Sequence, residues 1–305
     1  MIDHLAFFGF KETPFSLTPD RDFYFPSSRH KALEKVIMFG IDEGEGFIIV
    51  AGEIGTGKTM VLKHLSAKLA EKHEIAMVFS PLLSPRELVL AILRDIGLRS
   101  GNTDESIDSL LAALNDHLFK LSQENKRLLI IVDEAQDLYP ESIEQLRLLS
   151  NFESDKQKFI QIILVGQPEL LTLIEQPNLR QLLQRVTIIE ELAPLSKREM
   201  TQYVHYRLSQ AGRSDLRLSR STVNILWRYS KGVPRLINWL MNRALLTACA
   251  NKSREITPKC MYDAVDFLER RDRSPLFRKK YPLILLLAAA GVVAVIFYRL
   301  GFLVK

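Results

Sequence analysis

The chain has 305 residues, enough for one large or two small domains at roughly 100–200 residues each. Apolar residues make up 47% and charged residues 25%, proportions that exclude a disordered or fibrous chain. The net charge of +5 is unevenly placed: residues 270–305 carry eight basic side chains and one acid, so residues 1–269 carry −2 and have no overall attraction for a phosphate backbone.

In chain order, the N-terminus MIDHLAFFGFKETPF lacks a basic start, a continuous apolar stretch and a small-residue cleavage site, so it does not read as a signal peptide. Residues 1–30 are rich in Phe and Pro and have little period. Ser28 is placed to cap a helix over 29–43. Five apolar runs then read as buried strands: Phe47–Ala51, Ile75–Phe79, Leu128–Val132, Phe159–Val165 and Val186–Ile189. Amphipathic stretches separate them. In the one from Ser84 to Gly97, Ser84 is the N-cap, Pro85 the first helical residue, Glu87 the partner of a capping box and Gly97 the stop. Strands alternating with helices predict a parallel sheet covered on both faces.

After Leu195 only helical patterns remain. They start at Ser196 with Glu199, at about Ser219, at Pro234, and at Thr257 with Pro258, and the last ends near Asp272. The two cysteines, Cys249 and Cys260, show no metal-ligand spacing and fit a reducing compartment. The six histidines are scattered, with no i, i+4 pair, and read as structural or solvated. Last comes an uncharged run, Tyr281–Tyr298, preceded by Arg278, Lys279 and Lys280. As a helix it spans roughly 27 Å, close to the hydrocarbon thickness of a bilayer. The dense basic flank on its N-terminal side places the globular part in the cytoplasm.

The chemistry begins at Gly52-Glu53-Ile54-Gly55-Thr56-Gly57-Lys58-Thr59, which matches G-x-x-x-x-G-K-[ST] between a strand and a helix. Glycines let successive N–H groups curl around phosphate oxygens, and the helix N-terminus adds positive field. These eight residues and Met60 form the expected ATP-binding set. Lys58 bridges the β- and γ-phosphates, and the Thr59 hydroxyl is a ligand for Mg²⁺. Leu128–Val132 ends in two carboxylates: Asp133 as the second Mg²⁺ holder and Glu134 to polarise the attacking water. Gln167, at the end of the next strand, is placed to orient that water or bind the γ-phosphate. Arg180 and Arg185 precede the last strand, and an arginine there suits donation to a neighbouring subunit's nucleotide. Arg235 falls in the first turn of a helix, where the dipole disfavours a cation, so an anion nearby would explain it.

With these motifs the chain resembles the AAA+ ATPases, and within them the general secretion pathway protein A family, especially its MSHA pilus-biogenesis branch. The resemblance rests on PFSLTPDRDFYF at Pro14–Phe25, GEGFIIVAGEIGTGKT at Gly44–Thr59, IIVDEAQDL at Ile130–Leu138, LVGQPEL at Leu164–Leu170, LRQLLQRV at Leu179–Val186 and GVPRLIN at Gly232–Asn238. It implies a three-layer α/β sandwich with a parallel sheet ordered 5-1-4-3-2, then a small helical lid, with the nucleotide between them. It implies Gln167 as sensor 1, Arg185 as the arginine finger in preference to Arg180, and Arg235 as sensor 2. The Phe-rich N-terminal segment would lie near the adenine.

The expected layout is 1–43 for that segment and its helix, 44–194 for the α/β domain and 195–272 for the lid. A basic linker (273–282), a transmembrane helix (283–298) and a short tail (299–305) follow. The expected function is a membrane-anchored homo-oligomer at the bacterial inner membrane that uses Mg-ATP to assemble a secretion, pilus or exopolysaccharide apparatus. Longer relatives continue past the membrane into a peptidoglycan-binding domain, which a partner would supply here. Three rivals compete: a DNA-associated AAA+ ATPase, a helicase, and a nucleotide-gated scaffold that hydrolyses slowly. The charge of −2 over residues 1–269 opposes nucleic acid as a partner, and a helicase needs a second RecA-like domain.

Overall fold

Five runs of β-branched and apolar residues form one parallel sheet, and the helices between them return the chain across its two faces. The computed structural model describes residues 4–18, 20–79, 82–99, 105–153 and 158–273. A short helix α1 (His4–Phe8) and α2 (Ser28–Asp42) lead into β1 (Phe47–Ala51), α3 (Lys58–Leu69) and β2 (His73–Val78). Then come α4 (Pro85–Asp95), α5 (Ile107–Gln123), β3 (Arg127–Val132), α6 (Pro140–Leu149) and β4 (Ile160–Gly166). Two short helices, α7 (Glu169–Ile174) and α8 (Arg180–Leu183), precede β5 (Val186–Glu191). The sheet order is β2-β3-β4-β1-β5, and every pairing is parallel. This is the strand order that the resemblance implies.

The three central strands have both faces covered. On one side Ile48, Val50, Leu129, Ile131 and Val165 meet Ile37 of α2 and Leu62 of α3. On the other, Phe47, Ile49, Ile130 and Leu164 meet Leu88 and Leu93 of α4, together with Leu114 of α5 and Ile143 of α6. The fifth strand departs from the sequence reading. It lies at the sheet edge and alternates between half-buried and exposed residues, so Val186–Ile189 is not a buried run. The second strand starts at His73, two residues before the apolar run, because His73 and Glu74 pair with Arg127 and Leu128 of β3.

The last four helices are α9 (Lys197–Gln210), α10 (Arg220–Ser230), α11 (Pro234–Ala250) and α12 (Pro258–Arg273). Their core joins Met200, Leu226, Leu240, Leu245 and Met261 with Phe8, Phe10 and Phe15 from the N-terminus. The N-terminal aromatics therefore complete the helical unit. The caps of α4 and α9 are reciprocal capping boxes, Ser84 with Glu87 and Ser196 with Glu199. One cap differs from expectation: Ser27, not Ser28, accepts from the backbone N–H of His30 and starts α2. Ser28 turns instead to Glu199. Both cysteines are free and buried. The expected transmembrane helix at 283–298 lies outside the described residues. Among the described residues no helix is long and apolar enough to cross a membrane.

Candidate functional site

Because β3, β4 and β1 are neighbours and parallel, their C-terminal ends open on one side of the sheet, where α/β proteins bind ligands. The loop after β1, the acids after β3 and Gln167 after β4 meet there. A cavity of about 370 Å³ runs from this edge to the helical unit. Gly55–Met60, Glu134 and Arg235 line one part of it; Ser16–Thr18, Phe23–Phe25, Tyr203, Arg207 and Asn238 line another.

The loop has the shape that the glycine pattern demands. Gly57 sits at φ 105°, a left-handed conformation that costs other residues energy. A Cβ on Gly55 would collide with Cβ of Arg235, so only glycine admits that arginine's stem. The α3 helix starts at Lys58 with no side-chain cap and no acid in its first turn, which leaves its first N–H groups for an anion. Lys58 is buried, and its Nζ donates to the carbonyls of Gly52 at 2.6 Å and Glu53 at 3.2 Å. Burial lowers its pKa, against the opposing pull of Glu134, Asp133 and Glu53.

Thr59 Oγ1 donates to Asp133 Oδ2 at 2.6 Å. A hydroxyl and a carboxylate side by side are hard oxygen donors, the set that Mg²⁺ prefers when phosphate oxygens and water complete its shell. The residues thus fit Mg-ATP: a cradle of glycines, a buried cation and two adjacent oxygen ligands. Asp133 also accepts the backbone N–H of Glu134 through Oδ1 at 3.0 Å.

Glu134 is exposed and lies at φ 56°, a left-handed conformation uncommon for a residue with a Cβ. Such strain clusters at functional sites. Its Oε2 accepts from Gln136 Nε2 at 3.0 Å and from Gln167 Nε2 at 3.4 Å. Gln136 Oε1 accepts the backbone N–H of Gln167 at 3.0 Å, so one amide ties the ends of β3 and β4 together. Sequence reasoning passes over Gln136, although it stands two residues after Glu134 in the quoted motif.

Arg235 lines the cavity, and its backbone N–H donates to Gly55 O at 3.2 Å. Arg185 does not line it. Its Nη1 donates to Ser150 Oγ at 2.8 Å and to Arg147 O at 3.3 Å, at the C-terminus of α6. Arg180 opens α8, is exposed and is also away from the cavity.

His30 is a second residue that the sequence does not single out. Its Nε2 lies 3.1 Å from Thr56 O and must donate to it; its Nδ1 then accepts from Ser27 Oγ at 2.7 Å. Burial lowers its pKa, so the ring is neutral at pH 7. The imidazole braces the phosphate loop against the start of α2. A histidine without a neighbouring partner in sequence gives no signal of this.

Known proteins agree with the geometry. A family described as "AAA domain" matches residues 41–174. The fold and the site define a P-loop ATPase of the AAA type. Among curated relatives, General secretion pathway protein A of Aeromonas hydrophila is 40% identical over 253 residues, covering 83% of this chain and 46% of that protein. The chain therefore spans less than half the length of that relative. Among solved structures, the ADP form of the Aeropyrum pernix ORC2 protein superposes with a TM-score of 0.63 at 19% identity, covering 84% of this chain and 73% of that one. Drosophila ORC bound to DNA gives 0.63 at 15% identity, with 86% and 65% covered. At these identities the likeness is one of fold.

Proposed function

We propose that this chain is a membrane-anchored AAA+ ATPase that hydrolyses Mg-ATP to drive assembly of an envelope secretion or pilus apparatus. The observation that carries the chemistry is the 2.6 Å contact between Thr59 and Asp133, with Glu134 and Gln167 at the adjoining strand ends. In this reading Lys58 leaves the loop carbonyls and bridges the β- and γ-phosphates. Glu134 accepts a hydrogen bond from the attacking water, and Gln167 orients it. Thr59 and Asp133 would hold Mg²⁺, which when bound would supply positive charge against the phosphates. Arg235 adds charge from the lid side. Arg185, anchored outside the cavity, suits donation to the nucleotide of a neighbouring copy in a homo-oligomer.

The cellular role rests on the 40% identity to General secretion pathway protein A. The anchor rests on sequence: Leu283–Tyr298 is uncharged, and Arg278, Lys279 and Lys280 would sit among anionic headgroups, each contributing about 1 kcal/mol. The ATPase then faces the cytoplasm at the bacterial inner membrane. The MSHA pilus-biogenesis branch is the system this reading favours.

Fractionation tests it. Residues 270–305 fused to a soluble reporter should enter the membrane fraction and resist carbonate and high salt. The chain truncated after Asp272 should be soluble and bind ATP. Full-length protein in the soluble fraction would contradict the anchor. Envelope proteins that co-purify with the membrane-extracted full chain would identify the machine. Salt-sensitive DNA binding by the truncated chain would favour the DNA-associated alternative.

A further inference from the structure

A glycine-rich loop binds phosphate only while its peptide planes turn their N–H groups towards the anion. Glycine permits that arrangement without enforcing it, because it has the widest choice of backbone conformation. At Gly57, which lines the cavity at φ 105°, a contact from outside the loop makes the choice. The peptide joining Thr56 to Gly57 is trans, so its C=O and its N–H point in opposite directions. Thr56 O faces the start of α2, where it accepts from His30 Nε2 at 3.1 Å. No other donor reaches that oxygen among the described residues. The Gly57 N–H is thereby turned away from α2, and it has no acceptor among the described residues.

The imidazole is built into this place. It is only 6% exposed. Its Nδ1 is held by Ser27 Oγ at 2.7 Å, and Ser27 is the N-cap of α2. Turning the ring would therefore break both of its hydrogen bonds and leave buried polar atoms unmet. The ring also abuts the loop, since a Cβ on Gly57 would stand 2.9 Å from Nε2. Glycine at 57 is thus required by the imidazole as well as by the backbone angle.

We propose that His30 is a positioning residue for phosphate binding: by holding Thr56 O it keeps the Gly57 N–H aimed at the phosphates of the nucleotide. Without the imidazole the buried carbonyl loses its donor, and the Thr56–Gly57 peptide can turn over and present an oxygen to the phosphates. The proposal rests on the nucleotide reading above, and its test separates the two.

The affinities of the full chain for ATP and ADP are measured at equilibrium, beside thermal melts of each variant without nucleotide. His30→Leu fills the space and cannot donate. It should bind both nucleotides about 10-fold or more weakly than wild type, the scale of one hydrogen bond to a charged group. His30→Gln can donate to Thr56 O through its amide and should recover most of that affinity. A purely structural role predicts a His30→Leu chain that melts earlier yet, once folded, binds ATP and ADP like wild type. That result would overturn the proposal, as would a folded His30→Gln chain that binds no better than His30→Leu. Failure of the wild-type chain to bind either nucleotide would instead overturn the nucleotide reading. If His30→Leu does not fold, the structure of the wild-type chain with ADP decides. Gly57 N at hydrogen-bond distance from a phosphate oxygen, with Thr56 O still on His30, supports the proposal. His30 Nε2 directed at a phosphate, or a Thr56–Gly57 peptide turned the other way, overturns it.

Discussion

Glu134 holds a strained backbone at the end of β3 while its carboxylate receives two amide donors, Gln136 and Gln167. Both amides donate to the same oxygen, Oε2, and so hold the carboxylate between the ends of β3 and β4. Glu134→Gln keeps the shape and loses the charge that, in the proposed mechanism, polarises water. Equilibrium binding and steady-state turnover should separate in this variant: ATP affinity near wild type, hydrolysis at least ~100-fold slower. Loss of both together would point to a structural role. Lys58, Thr59, Asp133 and Glu134 are legible in the sequence because the Mg-ATP reading ties their spacing and flanking strands to the phosphates they would face. His30 and Gln136 are not. Each acts through a contact far away in the chain or through a backbone atom, and neither leaves a pattern in residue types.

At the scale of elements, one carboxylate serves two helices. Glu199 Oε2 accepts from the backbone N–H and hydroxyl of Ser196, closing the box on α9. Its Oε1 accepts from the backbone N–H and hydroxyl of Ser28, at the start of α2. This clamps the helical unit to the α/β unit beside the cavity. Burial alone would raise its pKa, but the hydrogen bonds from Ser28 and Ser196 outweigh it and bring the value to about 2 from the ordinary 4.5. The folded state thus binds this proton less readily than the unfolded one. The clamp's stabilisation is complete above pH 4.5 and is lost as pH falls from 4.5 towards 2.

Glu199→Gln can accept on one side only. It should lower stability by on the order of 1 kcal/mol at pH 7, since the group is partly solvated. Thermal melts from pH 7 to pH 3 should show the gap to wild type narrowing below about pH 4.5; a constant gap would refute the clamp. The capping boxes themselves are visible as Ser-x-x-Glu. The second use of Glu199 is not, because Ser28 lies 171 residues away. Likewise the apolar Val186–Ile189 gives no hint that β5 is an edge, since edge position depends on strand order.

For the whole molecule, the question is whether one copy holds a complete site. Arg185 is anchored on α6, outside the cavity that holds Lys58 and Glu134. If it acts on a neighbour, Arg185→Ala should be inactive alone and partly rescued when mixed with Glu134→Gln subunits. In a mixed assembly an intact Arg185 then faces an intact Glu134. Activity independent of protein concentration, with no rescue, would favour a monomeric enzyme.

The alternating apolar runs and cap residues foretell the parallel sheet and the four helices α9 to α12, whereas the packing of Phe8, Phe10 and Phe15 among those helices cannot be read from a segment without period. Binding of Mg-ATP by Gly52–Thr59 for hydrolysis is the claim on which all else depends. It is tested most directly by steady-state ATPase assays of the full chain and Lys58→Ala. Lys58 is the one side chain of that loop able to bridge the β- and γ-phosphates, so the wild type should turn over ATP in the presence of Mg²⁺ and the variant should not. Equal rates in the two proteins would contradict it.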